Sequence, residues 1–259
     1  MMRLIRFCVV LCGSLIFACC TIKEDRADCP CRLFLDMSEV DKDVVEYAAV
    51  SLTGSDGFVF NDMIDNEFFS KGYFVDVPRG SLEAWVSYGA GEFGVGPEGI
   101  VVQPGEEFPE IYMYHSHIDA SGDSVRDKVV MNKNYCNITV CIYAGDEFPF
   151  RLVMRGNVNG YCADGSLSEG DFSYEMELGD DGSGDVSVPR QSDDSLRLEV
   201  SDETGVLRVF ALGEYIAASG YDWKARNLRD LTVSLDYSLT CVTVILEGWD
   251  NEYHYSVII

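Results

Sequence analysis

The sequence of 259 residues carries 44 acidic and 19 basic side chains, which gives a formal net charge of −25 at pH 7. This charge repels phosphate backbones and anionic lipid head groups, so it argues against nucleic-acid binding and against a basic membrane-binding face. An aromatic content of 12% argues against disorder, and the length exceeds what one sandwich core usually needs, so two folded domains are expected.

The first eighteen residues have the organisation of an export signal. Arg3 and Arg6 precede an apolar run at 7–17, which is shorter than the roughly 20 residues that span a bilayer. The motif Ile16-Phe17-Ala18-Cys19 resembles the lipobox of lipoprotein signal peptidase. We therefore predict a signal peptide at 1–18 and a lipid anchor, with acyl chains such as palmitate, on Cys19. The alternative is a plain secreted protein in which Cys19 is incidental.

A short polar segment follows the predicted lipidation residue. Within it, Lys23-Glu24-Asp25-Arg26 resembles the charged signal that directs some lipoproteins to the outside of the outer membrane. An ordinary polar tether is the alternative interpretation. In either case residues 19–30 are predicted to be the lipidated N-terminus and its linker.

The cysteine pattern suits an exported protein without a metal centre. Of ten cysteines, Cys8 and Cys12 leave with the signal and Cys19 is consumed by lipid. The seven that remain cannot all pair within one molecule. They are Cys20, Cys29, Cys31, Cys136, Cys141, Cys162 and Cys241. No spacing fits a redox or zinc motif, so we expect small buried residues or isolated pairs.

Alternating patterns predict short strands in two blocks. In the first block, Leu33, Leu35 and Met37 share one face of a half-buried strand. The strands predicted there are 31–37, 48–52, 58–60, 73–77, 82–88, 100–103 and 111–118. A polar break at 119–123 follows, so the first sandwich is predicted at 31–124 and the second at 125–259.

The second block continues the same pattern with one irregular segment. Its predicted strands are 128–131, 137–143, 151–158, 172–178, 196–200, 206–211, 231–235, 242–246 and 253–259. Residues 180–185 are predicted to form a flexible acidic loop, and 215–227 one helical turn. The last strand has one apolar face and is expected to complete its own sandwich. Many short strands with frequent turns indicate an all-β protein built of sandwiches.

Two residue clusters in the sequence are candidate metal sites. His115 and His117 are two apart on a predicted strand and point to one face, where Asp119 would be a third ligand. The alternative is two exposed histidines on an edge strand. Residues 181–185 have the opening spacing of a calcium loop, but Val186 and Ser192 stand where glycine and glutamate are needed. We predict no metal, no cofactor and no catalytic residue.

The N-terminal motifs resemble the start of fimbrial anchoring lipoproteins, the FimB-like and minor-fimbrium-anchor proteins of gram-negative anaerobes. The resemblance rests on the lipobox, on 23–26, and on Asp28-Cys29-Pro30-Cys31 leading into 33–36. Looser agreement is found at 77–80, 228–231 and 242–249. The resemblance implies two transthyretin-like antiparallel β-sandwich domains in tandem.

The resemblance also implies a non-enzymatic role at the base of a fimbrium. The expected protein is held in the outer membrane by lipid on Cys19 and is exposed at the cell surface. It attaches a fimbrial subunit by strand addition and takes part in assembly and length control. The alternative is a surface glycan-binding lipoprotein, in which Trp85, Trp223 and Trp249 form an exposed aromatic platform.

Overall fold

A computed structural model describes residues 29–89, 95–143, 150–236, 241–246 and 252–256. The first nine strands are β1 Cys31–Asp36, β2 Tyr47–Gly54, β3 Val59–Asp65, β4 Tyr73–Val77, β5 Ser81–Tyr88, β6 Gly99–Val101, β7 Tyr112–Asp119, β8 Ser124–Lys128 and β9 Asn132–Lys133. The remaining elements are β10 Tyr135–Tyr143, β11 Arg151–Cys162, β12 Leu167–Met176, β13 Ser183–Pro189, β14 Arg197–Asp202, β15 Gly205–Phe210, α1 Leu212–Ala218, β16 Leu231–Asp236, β17 Cys241–Leu246 and β18 Glu252–Ser256.

The first sandwich is formed by a three-stranded sheet, β4-β1-β8, and a five-stranded sheet, β3-β2-β5-β7-β9. Strand β1 is central in its sheet because it pairs antiparallel with β4 and parallel with β8. Leu33, Leu35 and Met37 are fully buried, as the alternating pattern predicted, while Arg32 on the other face is exposed.

The second sandwich packs the sheet β12-β11-β14-β15 against the sheet β13-β10-β16-β17-β18. Most pairs are antiparallel, but β10 and β16 run parallel, as β1 and β8 do in the first sandwich. Side chains from both sheets fill the second core, among them Phe172 and Leu198 from the first sheet and Ile138 from the second. The all-β sandwich architecture predicted from the sequence is confirmed.

No single position in the sequence separates the residues of the first hydrophobic core from those of the second. Val95, Val102, Phe108 and Ile111 come from the first half of the sequence but are buried in the second core. Strand β6 also belongs to the second sandwich, since it pairs with the C-terminal end of β11. Strand β8, which follows residue 123, pairs with β1 in the first sandwich. Whether the chain on either side of the predicted boundary at 124/125 folds independently stays a prediction.

Two local predictions were wrong. The strand expected at 128–131 is β8, Ser124–Lys128, because its hydrogen-bonded partner β1 fixes its position. The acidic segment 180–185 is not a flexible loop, since β13 begins at Ser183 and buries Val186 and Val188.

The helical turn predicted within 215–227 is the second half of α1. The helix begins earlier, at Leu212, because Leu212 and Ile216 pack into the second core.

The C-terminal strand completes its own sheet as predicted. Strand β18 pairs antiparallel with β17, from Cys241↔Ser256 to Ile245↔Glu252. The end of the predicted strand, 257–259, lies outside the described residues.

We expect the fragment 125–259 to lack a cooperative thermal transition. It removes Val95, Val102, Phe108 and Ile111 from the second core, and each large core deletion costs about 2–5 kcal/mol against a total stability of about 5–15 kcal/mol. The measurement is circular dichroism during heating, with the fragment 95–259 as the matched comparison. A cooperative transition of 125–259 close to that of the full chain would establish 125 as the true boundary.

Candidate functional site

The chain enters the first sandwich through a clamp formed by Arg79. Its Nε donates to the carbonyl of Cys29 at 2.8 Å, and its Nη1 donates to the carbonyl of Ser121 at 2.6 Å. Its Nη2 pairs with the carboxylate of Asp123. The Arg79 side chain is only 20% exposed, whereas that of Asp123 is 63% exposed. The guanidinium thus ties the entry of β1 to the connection between β7 and β8.

The local backbone places Arg79 at this position. Arg79 lies in the turn between β4 and β5, where Gly80 has a φ of 134°, a value that favours glycine. The carbonyl of Gly80 accepts a hydrogen bond from the N–H of Ala120 at 2.8 Å. The sequence pattern indicated a turn at 77–80 but gave no sign of the clamp.

The predicted lipidation residue, Cys19, lies outside the described residues, and so does the charged segment 23–26. The described chain begins at Cys29, which is exposed, and Cys31 is fully buried in β1. Burial raises the pKa of the Cys31 thiol and keeps it protonated, so it is a packing residue rather than a nucleophile. Cys29, Cys31, Cys141 and Cys162 are free thiols.

The two histidines on β7 share one carboxylate. Nε2 of His115 lies 2.9 Å from Glu83, and Nδ1 of His117 lies 2.6 Å from the other oxygen of Glu83. The predicted common face is therefore confirmed. Asp119 does not join them, because it accepts a hydrogen bond from the N–H of Ser121. Within the described ranges, no group of three or more His, Cys, Asp or Glu side chains is placed to hold a metal ion.

The acidic residues of the candidate calcium loop, 181–185, accept hydrogen bonds from neighbouring residues. Asp181 accepts hydrogen bonds from the N–H and the hydroxyl of Ser183, at 3.0 and 2.7 Å. These bonds lower the pKa of Asp181. Asp185 lies on β13 and accepts a hydrogen bond from Thr139 on β10. The segment is a turn that leads into a strand.

The two tryptophans in the described part of the chain are buried and do not form the exposed aromatic platform of the alternative function. Trp85 and Trp223 are 1% and 8% exposed and belong to the second core. The indole N–H of Trp85 donates to the carbonyl of Ala163 at 3.0 Å. The ring of His115 packs against the indole at a tilt of 46°, with 4.5 Å between the ring centroids. Trp249 lies outside the described residues. Trp85 joins β5 of the first sandwich to the β11–β12 turn of the second.

Strand β15 is an outer strand with exposed apolar side chains. Val206, Leu207 and Val209 are 57%, 47% and 49% exposed, and the strand contains no carboxylate. Among the other described outer strands of more than two residues, only the three-residue β6 also lacks an acidic side chain. In the described part of the chain β15 pairs with β14 alone. An apolar outer edge of this kind is a ready template for another strand.

Solved structures from gram-negative anaerobes share this fold. A provisionally described polysaccharide-binding protein from Bacteroides thetaiotaomicron matches with a TM-score of 0.60 and 14% identity, over 88% of this chain and 98% of that chain. A provisional adhesin from the same species matches with a TM-score of 0.53 and 15% identity, over 87% and 98%. The fimbrial anchor protein Mfa2 from Porphyromonas gingivalis matches with a TM-score of 0.55 and 12% identity, over 85% and 98%.

No protein-family model matches the sequence, and no curated protein sequence matches it significantly. The structural neighbours nevertheless include a fimbrial anchor protein, so the resemblance to fimbrial anchoring lipoproteins is confirmed at the level of the fold. In the described residues, no helix is long and apolar enough to cross a membrane.

We expect Arg79→Ala to lower the free energy of unfolding by about 1–3 kcal/mol, because it removes hydrogen bonds made by a charged donor that is only 20% exposed. Urea denaturation of residues 29–259 measures the loss. Arg32→Ala is the matched control, since its ion pair with Asp76 is exposed and is worth about 0–1 kcal/mol. Equal losses in the two variants would show that the clamp contributes nothing beyond a surface pair.

Proposed function

We propose that this protein is an outer-membrane lipoprotein that anchors a fimbrium to the cell surface and takes part in its assembly and length control. The observation that carries the proposal is the combination of a lipobox at Cys19 with a fold shared with the fimbrial anchor protein Mfa2. The compared structures are described as adhesins, a fimbrial anchor and a polysaccharide-binding protein, and none is described as an enzyme. These descriptions favour a non-enzymatic role.

Lipid on Cys19 would hold the chain at the outer face of the outer membrane, and residues 20–30 would space the body from the bilayer. The end of this tether meets the body at the Arg79 clamp, where Cys29 is held by a hydrogen bond. Strand β1 follows at once, paired on both sides. Pulling on the tether would therefore load a central strand, which suits an anchor.

The fimbrial subunit would bind by adding a strand to β15. Main-chain hydrogen bonds along an outer strand provide affinity, and contacts with alternate side chains provide specificity. Exposed Val206, Leu207 and Val209 offer apolar contact on such an edge. Because β15 contains no carboxylate, the strand itself adds nothing to the negative charge that a partner meets on this chain.

We expect Cys19→Ser to release the protein from membranes or to leave the precursor uncut, because diacylglycerol is attached through the Cys19 thiol. Cell fractionation and metabolic labelling with palmitate measure the outcome, and Cys20→Ser is the matched control. Loss of fimbriae from the cell surface, with free fimbriae in the medium, is the second expected result. Normal lipid labelling and full membrane retention of Cys19→Ser would reject the anchor on that residue.

We expect Leu207→Glu with Val209→Glu to abolish co-purification of fimbrial subunits, since two buried charges would oppose strand addition at β15. Both side chains are exposed in the free protein, so the fold should persist. The matched control is Val59→Glu with Met63→Glu on β3, another outer strand with exposed apolar residues. Loss of subunits only in the β3 variant would move the docking edge to the first sandwich.

A further inference from the structure

A polar cleft of about 490 Å³ opens on the second sandwich, between the β11–β12 hairpin and the loop that joins β13 to β14. Its charged and amide lining consists of Arg155, Asn157, Glu169, Asp171, Asp193 and Arg197, and these six residues define the polar cleft. The volume lies within the range of small-molecule sites, about 300–1,000 Å³. The lining carries donors and acceptors side by side rather than an apolar wall.

Irregular pairing and two glycines keep the polar cleft open. The register of β11 against β12 shifts between Gly156 and Val158, so the floor is bulged rather than flat. Gly156 and Gly170 line the cleft. A Cβ on Gly170 would lie 2.5 Å from the Asn159 side chain, and one on Gly156 would lie 2.6 Å from Oε1 of Gln191. Amide side chains therefore pack directly against the backbone at both glycines.

A buried glutamate holds the two arginines of the polar cleft in place. The Nε of Arg155 donates to Glu199 at 2.6 Å, and the Nε of Arg197 lies 3.2 Å from the other oxygen of Glu199. Glu199 is 9% exposed, so its position is fixed by packing. Arginines oriented through Nε present further N–H donors in a fixed plane. The cleft therefore offers pre-organised donors.

The acceptors of the polar cleft are held equally firmly. Asp193 accepts hydrogen bonds from the N–H of Ser195 and from Nδ2 of Asn157, both at 2.9 Å. These bonds lower the pKa of Asp193, so it is an ionised acceptor at neutral pH. The amide of Asn157 is thus held against the ionised Asp193 in the lining of the cleft.

We propose that the polar cleft binds a neutral saccharide. A sugar hydroxyl donates and accepts at once, so it can bridge an arginine and a carboxylate that lie side by side. The cleft holds two arginines and three carboxylates. A polyanion would therefore meet net repulsion from the carboxylates, and a cation would be repelled by the arginines. An apolar ligand would leave the polar lining unpaired. This site goes beyond the anchoring function and does not depend on it.

The test is isothermal titration calorimetry of the full-length mature protein in detergent with four neutral oligosaccharides: maltotetraose, cellotetraose, mannotetraose and chitotetraose. Tetragalacturonic acid and tetra-alanine serve as a charged and a peptide probe. We expect saturable binding of at least one neutral probe. Binding of only the charged or only the peptide probe, or of none of the six, would overturn the proposal.

Substitutions of four exposed residues, two in the cleft lining and two outside it, locate the site. We expect Arg197→Ala and Asp171→Ala each to weaken saccharide binding about tenfold or more, as is typical when a hydrogen bond to a charged group is lost. Arg151→Ala and Glu175→Ala are the matched controls, since they lie on β11 and β12 outside the cleft lining. Unchanged binding in the cleft variants would place the saccharide elsewhere. Fimbrial attachment of these variants should stay normal, which separates this result from the anchoring test.

Discussion

The pairing of β1 on both sides is the constraint on which the first sandwich depends. Strand β1 begins two residues after the start of the described chain, yet it is the middle strand of its sheet. Detaching it would break its bonds with β4 and β8 together and would expose Leu33 and Leu35, both fully buried. An N-terminal strand usually frays unless it is tied down. Arg79 supplies that tie by joining Cys29 to Ser121.

The junction of the two sandwiches is packed rather than linked by a loose tether. Residues 95–111 leave the first sandwich, contribute four buried side chains to the second core, and return to β7. Trp85 reaches the β11–β12 turn through its hydrogen bond to Ala163. Such packing makes relative motion of the sandwiches costly. In the proposed anchor, a load on the second sandwich would reach the lipid through buried contacts and sheet hydrogen bonds.

Sequence patterns predicted the elements whose signals are local and missed those decided by distant partners. The alternation at 73–77 gave the bounds of β4, and the burial of Leu33 and Leu35 followed from their spacing. The parallel pairing of β1 with β8 joins residues about ninety positions apart, which periodicity cannot report. The polar cleft combines a hairpin, a loop and β14, and in a chain with 44 acidic residues its carboxylates carry no distinctive signal. Lipidation of Cys19 stays a prediction from a contiguous motif, because that residue lies outside the described residues.

In the proposed anchor, charge would explain how an apolar edge such as β15 persists at a membrane. Copies held on one surface by lipid would meet often, and an exposed apolar strand invites pairing between them. A net charge of −25 on each copy opposes their approach, although salt screens this repulsion beyond about 8 Å. Asp202 and Glu203 at the turn before β15 add local negative charge beside the edge. A partner strand of neutral or basic character escapes this repulsion, so the same charge that keeps copies apart favours a different occupant for β15.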